Sequence, residues 1–406
     1  MNRNWENLKL KDIGTIFSGN SINAKIKEEK YFTIDSGIPY IATKDISYSL
    51  EINYDNGINI PDTDIEKFKI APSGSVIICA EGGSAGRKLG ILNQDVCFVN
   101  KLFALTPNEK VIGKYIFYWY QSNNFQKDFQ DKMTGLIGGV SKLKFQNIKI
   151  PIPSIVEQKQ IVEILDKAFE SIEQAKINIE KNIENTKEFF QSRLNEIFSQ
   201  KGDGWEEKEL GKLAEFRNGL NFNKSSKGET FKIVGVSNFK DNFYVDNDSL
   251  EEVTIDGKLK ELDLLKDGDI VAVRSNGNPN LIGRCMLLAN IEEKISFSGF
   301  TIRIRLIDKN IYPLFLNYFL KSSYIKNELI KSGNGTDIRN LNQQSLSSLV
   351  FKYPLKIEEQ KRIVYEINNL SEQTKQLEKH YKQKLKNLEE LKKSILQKAF
   401  SGELLK

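Results

Sequence analysis

Pro151-Ile152-Pro153-Ser154-Ile155-Val156-Glu157-Gln158-Lys159-Gln160-Ile161-Val162 leads into a long polar run, and the chain repeats it as Tyr353-Pro354-Leu355-Lys356-Ile357-Glu358-Glu359-Gln360-Lys361-Arg362-Ile363-Val364. Glu157-Gln158-Lys159 and Ile161-Val162 fall on Glu359-Gln360-Lys361 and Ile363-Val364 at a constant offset of 202. Self-similarity at one fixed period dictates the architecture. Here the period is a whole globular domain plus a whole helix.

Each copy opens a helix of unusual length. Ser154 and Glu157 have capping-box spacing, in which hydroxyl and carboxylate each satisfy an orphan backbone N–H. Lys356 stands where the second copy would have the serine. Apolar or small residues then recur at spacings of three and four: Leu165, Ala168, Ile172, Ala175, Ile179 and Ile183 in the first run. The second carries Ile367, Leu370, Leu377, Tyr381, Leu385 and Leu388. No Pro or Gly interrupts 157–200 or 357–400, so two rods of roughly 60 Å are expected. Residues 157–200 hold six basic and nine acidic side chains, residues 357–400 ten and seven, giving net −3 and +3. Matched length, seam and opposite charge favour a coiled coil between the two over two separately solvated helices.

The 406 residues are enough for two or three domains, and mean hydropathy is −0.42. There is no apolar run near the roughly twenty residues of a membrane span, and the start, Met1-Asn2-Arg3-Asn4-Trp5-Glu6, is not a signal peptide. A cytoplasmic protein with no membrane partner is expected. Cys79, Cys97 and Cys285 lack metal-ligand or disulfide spacing, and the one histidine, His380, reads as a helix-surface residue.

The repeat continues into the domains ahead of the rods. Trp5-Glu6, Leu10, Gly19 and Asn23 match Trp205-Glu206, Leu210, Gly219 and Asn223 at an offset of 200. Val76-Ile77-Ile78-Cys79 and Ile270-Val271-Ala272-Val273 read as buried strands, each running into a Gly-rich loop that ends in Gly86-Arg87 or Gly283-Arg284. An aromatic helix follows, around Tyr115–Tyr120 and Leu314–Phe319, whose stripe reads as core rather than a base-stacking platform. A second glycine loop then spans 134–143 or 332–341. Each domain is expected to be a strand-rich α+β unit. Neither has a strong net charge, yet residues 97–156 carry eight basic against three acidic side chains, and residues 301–356 nine against three. Clustered cations beside Gly/Asn loops suit phosphate and base-edge contacts, although lysines that merely solubilise a helix face give the same count.

Catalysis left no marks. Gly82-Gly83-Ser84-Ala85-Gly86 lacks the lysine and spacing of a phosphate loop, and Asn278-Pro279 lacks the rest of an amino-methyltransferase motif. One histidine with no Cys or Ser nearby argues against an acid–base triad.

Two variable globular domains, each followed by a long helix opened by Glu-Gln-x-x-Ile, resemble the specificity subunits of type I restriction–modification systems. Also similar are the paired Trp-Glu starts and the closing Ser394-Ile395-Leu396-Gln397-Lys398-Ala399-Phe400-Ser401-Gly402-Glu403-Leu404. The resemblance covers essentially the whole chain; Tyr353, Leu355 and Lys356 are its departures. It implies an α+β protein of two similar target recognition domains (1–153 and 201–355) separated by two long antiparallel coiled-coil helices (154–200 and 356–406), with pseudo-twofold symmetry. It further implies a non-catalytic reader of double-stranded DNA. Each domain would bind one half of a split target, and the coiled coil would act as the ruler for the spacer. Two methyltransferase subunits using S-adenosylmethionine and two ATP-dependent motor-nuclease subunits would be its partners. No cofactor is expected on this chain.

The expected DNA contacts are Arg87, Lys88, Ser141, Lys142 and Lys144 in the first domain, and Arg274, Asn276, Asn278, Arg284, Arg339 and Asn340 in the second. For Arg87 and Arg284 an internal salt bridge is an equal reading. The rival function is a coiled-coil adaptor that clamps two protein partners without reading DNA.

Overall fold

The computed structural model describes residues 5–32, 36–135, 138–199, 202–223, 225–239, 243–332 and 341–405. The chain divides into two units, residues 1–179 with 383–406 and residues 180–382, so each unit takes one globular domain and part of both long helices. The helices run from Ile155–Ser199 and Ile357–Phe400.

In the first unit, Glu6–Lys9 pairs antiparallel with Lys149–Ile152, bringing the domain's first strand to the segment that opens the long helix. Gly14–Ser18, Leu102–Pro107, Val76–Cys79 and Leu89–Ile91 form a four-stranded antiparallel sheet in that order. A smaller mixed sheet of Asn59–Ile60, Ile38–Ile41, Val96–Phe98 and Ile70–Ala71 stands beside it. The second unit repeats this order. Trp205–Glu209 pairs with Val350–Pro354, Ala214–Asn218, Thr301–Leu306, Ile270–Val273 and Cys285–Leu287 form the main sheet, and three strands form the mixed one. The aromatic helices are Gly113–Tyr120 and Pro313–Lys321; Tyr115, Tyr120, Phe315, Tyr318 and Phe319 are all fully buried, so the stripe is core.

The Glu-Gln-x-x-Ile repeat has a structural cause. Gln158 is completely buried; its Nε2 donates to the Lys110 and Pro153 carbonyls, both 3.0 Å, and its Oε1 accepts from the Ile112 N–H at 3.0 Å. Gln360 makes the equivalent bonds in the second copy, to Asn310 (2.9 Å), Pro354 (2.8 Å) and the Tyr312 N–H (2.8 Å). A primary amide is the one neutral side chain that offers two donors and an acceptor together, as a buried irregular backbone turn requires. Further along the helices, Asp166 and Asn368 accept from the phenols of Tyr118 and Tyr318. Each long helix is thereby fastened at its start to the aromatic helix of its own copy. Its end packs on the other copy's: Phe400 lies 5.2 and 5.1 Å from the Tyr115 and Trp119 rings, and Phe198 5.2 and 5.7 Å from Phe315 and Phe319.

Within the first unit the two helices run antiparallel. Lys176 ion-pairs with Glu389, and a heptad earlier Phe169 meets Lys392, whose ammonium sits 4.8 Å from the ring centre. The expected Ser154–Glu157 capping box forms, with both reciprocal N–H bonds present (3.2 and 3.3 Å). Among the expected seam residues, Leu165, Ile172 and Ile367 are buried, and Ala168, Ala175, Ile179, Ile183, Leu370, Tyr381, Leu385 and Leu388 are half-buried. Leu377 departs from the pattern, with 41% of its surface exposed. It faces an open groove of about 320 Å³ whose lining mixes Asn182, Asn185, Thr186, Gln373 and Thr374 with Phe189, Leu370 and Tyr381. Ile172→Asp is therefore expected to cost at least about 3 kcal/mol, from lost packing and a buried carboxylate, and Leu377→Asp less than about 0.5 kcal/mol. Thermal unfolding followed by circular dichroism separates the two.

Candidate nucleic-acid interface

The Gly-rich loops are held by their parent strands. In the first unit the Cys79 N–H donates to the Lys88 carbonyl and the Gly86 N–H to the Cys79 carbonyl, both 2.8 Å. In the second, Val273 N–H donates to Arg284 (2.8 Å) and Gly283 N–H to Val273 (2.9 Å). Gly86 and Gly283 both have positive φ (72 and 80), the left-handed region that side-chain-bearing residues rarely adopt. That requirement accounts for the shared Gly-Arg.

The second glycine loop lies against the first. Gly82 N–H donates to Gly138 (2.8 Å), and the Ala80 carbonyl accepts from Val140 N–H (2.9 Å). A third segment, which the sequence did not single out, completes the junction: Ala80 N–H donates to the Lys101 carbonyl at 2.9 Å. The second unit builds the same node around Arg274, whose N–H donates to Phe300 and whose carbonyl accepts from Leu341 N–H, both at 2.8 Å. Three loops meet at one edge of the main sheet in both units, and Arg274 takes the place of Ala80.

Side chains at these nodes are mainly polar and accessible. Arg87 reaches back to the Gly83 carbonyl, and Arg284 to Asn280 at 3.2 Å, the same four-residue reach. Lys88 donates to the Thr43 carbonyl at 3.0 Å. Arg87 and Lys88 also lie over the exposed Tyr48 ring, at 5.4 and 5.1 Å from its centre. This cation–π cluster was missed in the sequence. Lys142 and Lys144 lie on a short helix rather than in the loop, and Ser141 is the loop residue that precedes it. Ser141 caps this helix, Lys142–Gln146, its hydroxyl accepting from Lys144 N–H, because a serine with extended backbone ahead of such a run satisfies an orphan N–H. Asn276 and Asn278 use their side-chain carbonyls to accept from the N–H groups of Asn278 (2.8 Å) and Asn280 (3.1 Å). Arg274 makes one long bond, 3.5 Å, to the Gly299 carbonyl. Phe300, 61% exposed, projects at this node and was likewise missed. Arg339 and Asn340 lie outside the described residues.

The basic count for residues 301–356 overstates what faces solvent. Arg305 forms a two-pronged pair with buried Asp269 (2.7 and 2.6 Å), and buried Arg303 donates to the Leu262 carbonyl at 2.7 Å. Burial pushes the Cys97 and Cys285 thiols up to about 11, which suits packing rather than nucleophilic attack. Among the described residues no group of three His, Cys, Asp or Glu could hold a metal, and no helix is long and apolar enough to cross a membrane. What the nodes present is a set of cations, amides and aromatics on backbone-anchored loops.

Comparison with known proteins agrees. Residues 2–185 and 202–387 each match the family model described as the type I restriction modification DNA specificity domain. The chain is 26% identical over 98% of its length, and 89% of the relative's, to the type I restriction enzyme StySPI specificity subunit of Salmonella potsdam. It is 26% identical over 84% of its length, and 76% of the relative's, to the EcoKI specificity subunit of Escherichia coli K12. Two solved structures share the fold. One, from work on complex assembly and conformational transition of a type I R-M system, has TM-score 0.75, 16% identity and 98% coverage of both chains. The HsdS subunit of Thermoanaerobacter tengcongensis has TM-score 0.61 and 18% identity, covering 98% of this chain and 97% of its own. The protein belongs to the type I restriction–modification DNA specificity family and carries the family's domain twice.

Proposed function

We propose that this chain is the non-catalytic DNA reader of a cytoplasmic type I restriction–modification complex, with residues 1–153 and 201–355 each reading one half of a split target. The observation that carries this reading is the three-loop node, built twice with the same backbone bonds but with different side chains. Duplicated scaffolds with divergent tips are what two different half-sites require, because loops vary while the supporting strands cannot. The two long helices set the number of unread bases and dock two methyltransferase subunits, with two motor-nuclease subunits joining for cleavage. S-adenosylmethionine and ATP are bound by those partners.

Co-expression with its methyltransferase subunit should produce methylated adenines in a split motif across the host genome. A stable complex with no new methylated motif would favour the protein adaptor instead. Arg339→Ala should relax sequence preference in one half of the motif only, by roughly tenfold to a hundredfold, the about 1–3 kcal/mol expected for a bidentate base contact. Equal weakening on every DNA would make Arg339 a phosphate contact.

A further inference from the structure

A cleft of about 660 Å³ opens in the second unit between the long helices and the loop Asn280–Arg284. Its walls carry Lys187, Arg284, Lys321, Lys326, Lys375 and Lys382, with Glu378 as the one carboxylate among the described residues of its lining. Glu378 is answered by Lys382 at 3.7 Å, while Lys321 and Lys375 stand 4.7 and 5.7 Å from the centre of the Phe243 ring. Six cations around one cleft repel one another, so their presence calls for a reason.

The fold does not supply that reason, because the first copy carries less net charge at the equivalent positions. On the helices, at the repeat offset of 202, Lys187 and Lys375 correspond to Glu389 and Glu173. After the aromatic helix, at the domain offset of 200, Lys321 and Lys326 correspond to Gln121 and Gln126. Lys382 likewise meets Glu180, while Arg284 is matched by Arg87, and the first copy has Lys88, Lys176, Lys392 and Lys393 at other lining positions. Six cations and one carboxylate in the second copy thus stand against five and three in the first. The first-copy residues have structural duties: Glu389 pairs with Lys176, and the Gln126 amide donates to the Gly86 and Tyr120 carbonyls at 2.8 and 2.6 Å. Lys187, Lys326 and Lys375 are exposed, and the described residues of the cleft lining offer them no carboxylate beyond Glu378.

We propose that this cleft is a binding site for the phosphate backbone of the DNA duplex, more strongly charged in the second unit than at the equivalent positions of the first. The inference rests on the DNA-reading function above. Arg284 and Asn280 belong both to the cleft and to the recognition loop, so a strand whose bases meet that loop has its phosphates led into the cleft. Flexible lysine ammoniums acting as point charges suit phosphate oxygens and carry no sequence information. The second half-site is consequently held by more backbone contacts than the first.

The test is the full chain with its methyltransferase subunit, carrying Lys187→Gln, Lys326→Gln and Lys375→Gln together. Duplex binding is read by fluorescence anisotropy between about 50 and 200 mM KCl, a span over which phosphate contacts dominate the salt response. The slope of log Kd against log salt should fall by about 2.7, roughly 0.9 per lost contact. Affinity for target and scrambled duplexes should drop together, with the methylated motif unchanged. Lys326→Gln alone, a single exposed change, should lower the slope by about 0.9 and serves if the triple variant folds poorly. An unchanged slope in both variants overturns the proposal, and so does loss of methyltransferase association at constant slope, which would assign the cleft to an acidic protein surface. Failure of the unmodified complex to bind any duplex specifically would instead sink the DNA-reading function itself.

Discussion

Gln360→Leu is expected to destabilise the second unit by about 3–5 kcal/mol, and Gln158→Leu the first by a similar amount, although leucine has nearly the same volume as the side chain it replaces. The loss arises from the partners left behind. In the second unit the Tyr312 N–H and the Asn310 and Pro354 carbonyls would be stranded in a dry turn, each at about 1–3 kcal/mol. Relaxation recovers part of that sum. Lys361→Ala, one residue away on the solvent side, should change stability by less than about 0.5 kcal/mol. Hydrogen exchange resolves the units separately: amides of residues 312–320 should exchange more than a hundredfold faster in Gln360→Leu, as about 3 kcal/mol implies, while residues 112–120 keep their protection. Equal protection in both helices would mean the buried amide is a passenger of the motif rather than its cause.

That pair of glutamines shows where reading the sequence stops. Their fixed offset was visible, as were the uninterrupted helical runs, the Ser154–Glu157 cap and the apolar strands at Val76–Cys79 and Ile270–Val273, because each leaves a periodic or short-range signature. What the glutamines hold was not visible. Their partners at 110–112 and 310–312 lie far upstream, in irregular backbone that has no period. The third loop at Lys101 and Phe300 was hidden for the same reason, since it joins the node through main-chain bonds indifferent to side-chain identity. Counting charges failed differently: Arg303 and Arg305 look like a DNA footprint on paper, yet face buried carbonyls and Asp269. Leu377 kept the heptad spacing but lies at an open groove whose far wall mixes Asn182, Asn185 and Thr186 with Phe189, and spacing along one helix says nothing about its partner's side chains.

Exchange of the second recognition domain carries the largest functional effect. Among the described residues, the node of the first unit draws on residues 43–48, 79–88, 99–101 and 134–142, and that of the second on 273–284, 298–300 and 341, each set lying within one recognition domain. Replacing residues 205–354 removes Trp205–Glu209 and its partner Val350–Pro354 together, keeping the closing strand pair intact. The retained helices reach the replacement chiefly through contacts that tolerate sequence change. Gln360 bonds to backbone at 310 and 312, and Phe198 needs only an aromatic or large apolar face where Phe315 and Phe319 now stand.

The measurement to make is therefore adenine methylation across the genome of a host that expresses the methyltransferase subunit with either the native chain or the 205–354 exchange. One half of the split motif should be replaced outright while the other half and its modified adenine remain as they were. A motif that changes in both halves, or in neither while the exchanged chain still assembles, would contradict independent reading of two half-sites by two domains.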